Sequence, residues 1–211
     1  MGNMTSLDLD SQVRVADIDR WLSSRFVDDL QARADLITLY AFEAELLAIP
    51  TRVTQPLLAE MRFTWWAEQL DGVFSNTPRK GHPILEALTE LATRRALERA
   101  QFDALIEAHI GRVHNQPHDL DAFFVAPMQI AVQILAGKGH DAAVAEAGKL
   151  FGLMQTGRDA EAKALRAKAN RALKALPAKA FPAVAHASLS RSAPEPVKRL
   201  QLFWNTVRGR I

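Results

Sequence analysis

Two carboxylates stand in the apolar run LYAFEAELLAIP, which covers residues 39–50. A carboxylate in an apolar interior loses much of its hydration free energy unless a cation or a hydrogen-bond donor compensates for it. On an ideal helix Glu43 and Glu45 lie about 200° apart, so their side chains do not converge on one ion. Each could bind an ion alone, reach solvent or pair with an arginine nearby.

Three histidines cluster with two aspartates in HIGRVHNQPHDLD, residues 109–121. His114 and His118 have the i, i+4 spacing that can place two imidazoles on one metal, but Pro117 lies between them and breaks the helix that would align them. His109 belongs to an apolar stripe and is expected in the core. We therefore predict a polar helix end here and no metal site.

Other catalytic chemistries leave no signature in the chain. It contains no cysteine, which excludes disulfides, zinc–thiolate sites, iron–sulfur clusters and thiol catalysis. The sequence patterns of serine hydrolases, zinc proteases, P-loop proteins and dinucleotide-binding proteins are also absent. No serine or lysine has a context that marks it as a nucleophile, so no catalytic residue is predicted.

Two adjacent tryptophans occur in EMRFTWWAEQL, residues 60–70. Neighbouring positions on a helix point about 100° apart, so one ring can enter a core while the other lines an interface or a cavity. Packing in the core is the favoured interpretation of the pair.

Helical periodicity dominates, and no alternating Val, Ile or Thr run indicates a strand. One helix is predicted to end near Leu47, before Pro50, and the next to have Pro56 in its first turn. An amphipathic stripe predicts another over 102–113. Further helices are predicted at 83–97, 119–136, 141–156, 159–176 and 196–208, with SNTPRKGHP, GKGH, LPAKAFP and SAPEP between them.

Charge is distributed unevenly along the chain. Residues 1–100 carry 11 Lys and Arg against 15 Asp and Glu, and residues 101–211 carry 15 against 9. The Ala/Lys/Arg-rich C-terminal third, from about residue 157, suggests an acidic partner such as anionic lipid or a polyanion. The helix RDAEAKALRAKANRALKALPAKA lacks bulky apolar side chains, which favours an exposed cover, with contact to anionic lipid as the alternative.

The composition is that of an ordinary soluble globular protein, with 211 residues of which 48% are apolar and 24% charged. We predict a single domain over residues 1–211. The N-terminus lacks the apolar core of a signal peptide, and no segment approaches ~18 uninterrupted apolar residues. A cytoplasmic protein, or one held peripherally on the inner membrane, is expected.

Three segments together resemble the squalene/phytoene synthase family: LITLYAFEAELLAIP with VTQPLLAEMRFTWWAEQLDGVF, then GHPILEALTELATRRALERAQFDALIEAHIGRV, and VKRLQLFWNTVRGRI. The likeness covers most of residues 15–156 and the last fifteen residues. It is strongest to a short proteobacterial branch related to a mitochondrial complex I assembly factor. The resemblance implies an all-α fold, here a truncated isoprenoid-synthase-like helical bundle, with two Asp-rich helices facing each other across a cavity.

In active relatives, magnesium neutralises a diphosphate leaving group and aromatic walls shelter a carbocation. The first family motif, approximately YAFCRxxDDxxD, places its aspartates on Leu47, Ala48 and Thr51 of this chain. None of these side chains binds magnesium as a carboxylate does.

The second family motif, approximately QLTNxxRDxxxD, falls on GLMQTGRDAEAK, residues 152–163. Arg158 and Asp159 match it, whereas Lys163 occupies the position of the closing aspartate. A magnesium–diphosphate site would therefore lose most of its carboxylate charge, and head-to-head prenyl condensation is not expected.

The leading interpretation is a degenerate, non-catalytic family member without a cofactor. It would act as a binding or assembly factor for a protein partner or a membrane surface. By analogy with the mitochondrial assembly factor, it would assist a respiratory membrane complex. The alternative is a prenyl-diphosphate transferase in which Asp159, Glu43 and Glu45 hold magnesium. A nucleic-acid-binding module ranks last, because the basic tail lacks interleaved aromatic residues, and no nucleic-acid partner is predicted. The residues expected around a retained cavity for an apolar or isoprenoid ligand are Tyr40, Glu43, Arg62, Trp65, Arg158 and Asp159.

Overall fold

The structure, a computed structural model, describes residues 3–190 and 192–211, with side chains from residue 8 onward. Residues 1 and 2 of the N-terminus considered above, and one basic residue of the tail at position 191, lie outside it. The described residues form helices and no strand, which confirms the predicted all-α class. The α-helices are α1 (Asn3–Ala16), α2 (Ile18–Ser24), α3 (Leu30–Arg52), α4 (Pro56–Phe74), α5 (Pro83–Arg95), α6 (Arg99–Val113), α7 (Ala126–Ala136), α8 (Asp141–Gln155), α9 (Asp159–Ala172) and α10 (Glu195–Arg208).

Helix α3 is the central element of the bundle. It packs against α1, α4, α5 and α7, and most of its residues between positions 32 and 46 are buried. Beside it, α4 packs on both α5 and α6, while α2 connects α3 to the C-terminal part of the chain. An acid placed in the middle of α3 is therefore surrounded by protein.

The second half of the chain packs through a short π-helical turn, Asp121–Val125, which leads into α7. The turn lies just before Pro127, which has no N–H to donate to the preceding turn. Helix α8 crosses it closely: a Cβ on Gly148 would lie 2.7 Å from the Cα of Val125, so a glycine is needed there. Helix α9 packs on α8 through small residues, among them the buried Ala162 and Ala169.

Two helix boundaries differ from the sequence prediction. Helix α3 does not end near Leu47 but continues to Arg52 with Pro50 in its last turn. Proline removes one hydrogen bond there, yet the Val53 N–H still donates to the Ile49 carbonyl at 2.9 Å and the turn persists.

The segment 159–176, predicted as one helix, is α-helical only to the end of α9 and closes with a 3₁₀ turn, Leu173–Ala175. LPAKAFP was predicted as a break but contains most of a second 3₁₀ turn, Ala178–Ala183, and a third follows at Ala185–Ser188. Ala178–Ala183 packs against α7, and burial of its apolar side chains orders the backbone there.

Ion pairs fix several helices to one another. The buried Asp35 of α3 accepts hydrogen bonds from Arg94 and Arg95 of α5 at 2.5 and 2.6 Å, and another from Gln31 at 3.1 Å.

No α-helix in the described ranges combines the length and the hydropathy that crossing a bilayer requires.

Candidate functional site

A buried ion pair joins the middle of α3 to α2. The Arg20 guanidinium donates from Nη1 to Glu43 Oε2 at 2.6 Å, and the two residues are 8% and 4% exposed. Asp17, whose carboxylate caps α2, lies 3.6 Å from Arg20 Nε. Of the outcomes expected for Glu43, the structure shows pairing with an arginine and no access to solvent.

Unpaired polar atoms surround this ion pair. The guanidinium carbon of Arg20 lies 5.2 Å from the ring centroid of Tyr40. The buried His186, on the 3₁₀ turn Ala185–Ser188, meets the ring of Phe151 edge-on with the centroids 4.7 Å apart. Within the described part of the chain, five buried side-chain atoms of this buried polar cluster have no hydrogen-bond partner: Arg20 Nε, Tyr40 Oη, Glu43 Oε1, His186 Nδ1 and His186 Nε2.

Electrostatics define the charge state of the buried polar cluster. Burial lowers the pKa of Arg20, but Glu43, Asp17 and Tyr40 together raise it above its ordinary value, so the guanidinium stays charged. Burial raises the pKa of Glu43, and Arg20 opposes that rise. Burial also raises the pKa of the Tyr40 hydroxyl. The pKa of His186 falls well below its ordinary value because of burial and then of Arg20, so the imidazole is neutral at pH 7.

A groove of about 590 Å³ lies between the C-terminal half of α3 and the N-terminal half of α4. Apolar side chains form much of its wall, and arginines, a glutamate and a histidine provide its polar groups. Pockets of this size and character hold small molecules in many proteins. The lining residues are Glu45, Ile49, Arg52, Val53, Leu58, Met61, Arg62, Trp65, Trp66 and His82.

The two tryptophans of α4 divide as the helix geometry predicts. Trp66 is buried, and its ring meets Phe42 edge-on at 5.4 Å between centroids. Trp65 is half-buried in the groove, and the Arg79 guanidinium lies 5.8 Å from the centroid of its ring. His82 lies within 6 Å of both indoles, and burial lowers its pKa. The groove thus combines aromatic surface with nearby cations.

The positions predicted to correspond to the metal-binding aspartates of active relatives lie outside the core. Leu47 is 55% exposed, Thr51 is exposed and Ala48 is half-buried. The neighbouring Glu45 accepts a hydrogen bond at 3.2 Å from Arg52, which lies about two turns further along α3. The outer end of α3 therefore presents an apolar side chain, a hydroxyl and a paired carboxylate.

The second motif lies at the start of α9, where Arg158 and Asp159 are both exposed. The Arg158 guanidinium donates two hydrogen bonds to Glu161 at 2.7 Å, and this pairing raises its pKa. Asp159 occupies the first turn of the helix, where a carboxylate interacts favourably with the helix dipole.

The six residues predicted around one cavity thus lie in three environments. Tyr40 and Glu43 belong to the buried polar cluster, Arg62 and Trp65 line the groove, and the remaining two are on the surface at the start of α9. A binding role for each remains a prediction.

The candidate carboxylates do not converge on the metal that the family resemblance implies. Glu43 is bound by Arg20, Glu45 by Arg52, and Asp159 lies on another helix. Throughout the described ranges, no three His, Asp or Glu side chains approach closely enough to share an ion. The donor set does not fit a magnesium–diphosphate centre.

The histidine cluster has a structural role in this fold. His109 is buried, stacks on Phe63 with the centroids 5.1 Å apart and has its pKa lowered to about 4 by burial and the proximity of His118. His114, at the end of α6, pairs with Glu60 at 3.1 Å. The prediction of a core histidine at position 109 matches this placement.

Comparison with known proteins gives the family. The sequence profile described as squalene/phytoene synthase matches residues 13–124, which is more than half of the chain. The chain belongs to the squalene/phytoene synthase family. The all-helical architecture agrees with the isoprenoid-synthase-like fold expected for this family. No curated protein and no solved structure gives a significant match to the chain.

The matched range covers the buried polar cluster except for His186, and the whole groove. It ends before α9, so the correspondence of Arg158 and Asp159 to the second family motif remains a prediction. Sequence reasoning missed Arg20, His186, Arg52 and His82. A single histidine within the small-residue run AFPAVAHAS, residues 180–188, was a usable signal for His186. Nothing local indicated that Arg20 would reach Glu43 across 23 residues.

Proposed function

We propose that this squalene/phytoene synthase family member is non-catalytic and acts as a binding or assembly factor. The observation that carries the proposal is the state of its three candidate metal-binding carboxylates. Glu43 is neutralised by Arg20, Glu45 is paired with Arg52, and Asp159 stands on the surface of α9. Moving these carboxylates onto one ion would require breaking a buried ion pair, which costs about 3–5 kcal/mol.

The groove supports a binding role. Its aromatic and aliphatic wall suits an apolar chain, while Arg52 and Arg62 offer positive charge to an anionic or strongly polar end. We propose an apolar or isoprenoid-type molecule as its ligand. Tyr40 and Glu43 lie deeper in the bundle and would not contact it directly.

An assembly role for a respiratory membrane complex rests on the resemblance to the mitochondrial assembly factor and its bacterial branch. The partner would be a protein of that complex or the membrane surface beside it, with the chain positioned on the cytoplasmic face of the inner membrane. Family membership supports the scaffold for such a role and leaves the partner to experiment.

The alternative function is a prenyl-diphosphate transferase with an atypical site. Its only specific support is that Arg158 and Asp159 agree with the second family motif. The Arg158–Glu161 pair and the exposure of Asp159 argue against it.

A turnover assay separates the two functions. Purified protein is incubated with radiolabelled farnesyl or geranylgeranyl diphosphate and Mg²⁺, and both condensed product and released pyrophosphate are measured. We expect neither above the level of a heat-inactivated sample. Reproducible turnover that disappears in Asp159→Ala would overturn the proposal.

A cellular experiment addresses assembly. Cells lacking the protein are complemented with the wild type or with Asp159→Ala, and assembled respiratory complexes are resolved on native gels. We expect both forms to restore assembly equally, because Asp159 has no catalytic task. Unaltered complexes in the deletion strain would remove the assembly role.

A further inference from the structure

Helix α10 presents an apolar stripe to solvent. Five of its side chains are between 42 and 65% exposed, and their spacing places them on one arc of about 120° along roughly 15 Å of helix. The outer stripe consists of Val197, Leu200, Phe203, Trp204 and Val207. The pattern is the reverse of an ordinary surface helix, which turns its apolar side toward the core.

The opposite face of α10 explains this orientation. Leu202 and Lys198 are buried, and the Lys198 ammonium donates to Asp19 of α2 at 2.7 Å. At the far end, the Ile211 N–H and carbonyl are both bound by the side chain of Asn170 on α9, at 2.8 and 2.9 Å. Because the polar contacts fix the inner face, α10 cannot rotate its outer stripe inward without breaking them.

Positive charge lies beside the outer stripe. Arg208 and Arg210 are exposed and have no salt bridge with an acid in the described residues, and the Arg208 guanidinium lies 5.5 Å from the centroid of the Trp204 ring. The contact between Asn170 and Ile211 brings Arg171 at the end of α9, and Lys174 in the 3₁₀ turn that follows it, to the same end of α10. Tryptophan, phenylalanine and leucine flanked by arginine are the composition of helices that lie in a lipid interface.

We propose that α10 is the surface through which this chain docks on an anionic membrane. The outer stripe would enter the boundary between headgroups and acyl chains, while Arg208 and Arg210 would bind lipid phosphates. A second copy of the chain fits less well, because five half-exposed side chains on one helix offer only a few hundred Å², against about 800 Å² from each partner in a standard interface. The inference rests on the membrane-surface part of the proposed function and names the docking surface. It holds whether or not the chain is catalytic, so its failure in a vesicle assay is distinct from a failure of the non-catalytic assignment, which the turnover assay tests.

Vesicle flotation tests the proposal. Full-length protein is mixed with vesicles of phosphatidylcholine alone or with equimolar phosphatidylglycerol, at low and at high salt. We expect binding to the anionic vesicles that weakens with salt, and little binding to phosphatidylcholine. Leu200→Gln with Trp204→Gln should lower partitioning at least about tenfold, because the inserted apolar area is lost. Arg208→Gln with Arg210→Gln should lower it about fivefold per arginine on anionic vesicles only.

A matched control uses two other exposed leucines, Leu30 at the start of α3 and Leu57 at the start of α4, which are 73 and 68% exposed. The double variant Leu30→Gln with Leu57→Gln should bind vesicles as the wild type does.

Quenching of tryptophan fluorescence by brominated lipid gives a second readout on the wild-type protein. The variant Trp204→Phe should lose most of this quenching and should still float with the vesicles.

Three results would overturn the proposal. One is wild-type protein that stays unbound to anionic vesicles at low salt. Another is equal binding by the wild type and the Leu200/Trp204 variant. The third is a wild-type protein that does not bind vesicles but forms a concentration-dependent dimer, measured by light scattering, which the Leu200/Trp204 variant abolishes. That result would assign the outer stripe to a second copy of the chain.

Discussion

Asp35 and Glu43 lie about two turns apart on α3, and both are almost completely buried. Both oxygens of Asp35 are bound, by Arg94, Arg95 and Gln31. Among the described residues, Glu43 has one donor, Arg20, and its second oxygen has none. Buried polar atoms are usually satisfied, so the first region has the character of a structural contact and the second the character of a site.

The two ends of this buried part of α3 thus differ in how their acids are paired. At the Asp35 end, α3 and α5 are joined by a saturated ion cluster. At the Glu43 end, atoms of Tyr40 and His186 without a partner among the described residues lie beside the ion pair, and Leu47 and Thr51 are exposed one and two turns further along α3. Under the proposed non-catalytic function, this polar interior would be the part of the family scaffold that persists without a metal site.

The largest expected effect comes from removing the guanidinium that pairs with Glu43. Arg20→Met should lower the free energy of unfolding by about 3–5 kcal/mol, because it leaves a buried carboxylate unpaired. The matched variant Arg95→Met should cost about 1–2 kcal/mol, because Arg94 and Gln31 still bind Asp35. Urea denaturation measures both. Equal losses in the two variants would break the comparison.

Replacing the whole ion pair should reverse most of that loss. Arg20→Met with Glu43→Leu should unfold within about 1 kcal/mol of the wild type, since a buried pair is often exchanged for apolar side chains without cost. The same urea titration provides the measurement. A double variant as unstable as Arg20→Met would mean that the polar interior is needed for packing.

Acid stability tests the state of His186. Its pKa is depressed in the folded protein, so between pH 6.5 and that lower pKa the unfolded chain binds the proton more readily, and the free energy of unfolding decreases as pH falls below about 6.5. His186→Leu should reduce this dependence, while His109, with a pKa of about 4, keeps part of it. Urea midpoints between pH 7 and pH 4.5 give the two slopes. Identical slopes in the wild type and in His186→Leu would mean that the imidazole of His186 is already protonated in the folded protein.

The smallest effect is expected at the second motif. Arg158→Ala and Asp159→Asn should shift the urea midpoint only slightly, because both side chains are exposed, the Arg158–Glu161 pair is screened by solvent and the helix dipole acts weakly on an exposed carboxylate. A clear loss of stability in Asp159→Asn would indicate that this carboxylate has a partner in the folded protein and belongs with the buried region.

Much of the fold was accessible from the sequence. The apolar stripe of α6 and the breaks at SNTPRKGHP and GKGH placed those elements near their observed positions. The 3₁₀ turns around Phe181 could not be predicted from the sequence, because their order comes from packing on α7 and not from local propensity. The end of α3 was missed because a proline in a last turn removes only one hydrogen bond.

The site was only partly accessible. Helix geometry allowed one of the adjacent tryptophans to line a cavity, as Trp65 does in the groove, although packing of the pair in the core was the favoured interpretation. The pairing of Glu43 with Arg20 and the neighbourhood of His186 depend on residues distant in sequence, which no local pattern reveals. Phe203 and Trp204 were visible in the sequence, but their exposure follows from the Lys198–Asp19 contact on the other face of α10.

Binding of farnesyl diphosphate with and without magnesium tests the central claim most directly. Isothermal titration calorimetry on the purified chain compares the two conditions, because a family site of the active type binds the diphosphate through metal ions. The account predicts the same affinity in Mg²⁺ and in EDTA. An affinity at least about tenfold higher in Mg²⁺, lost in Asp159→Ala, would contradict it.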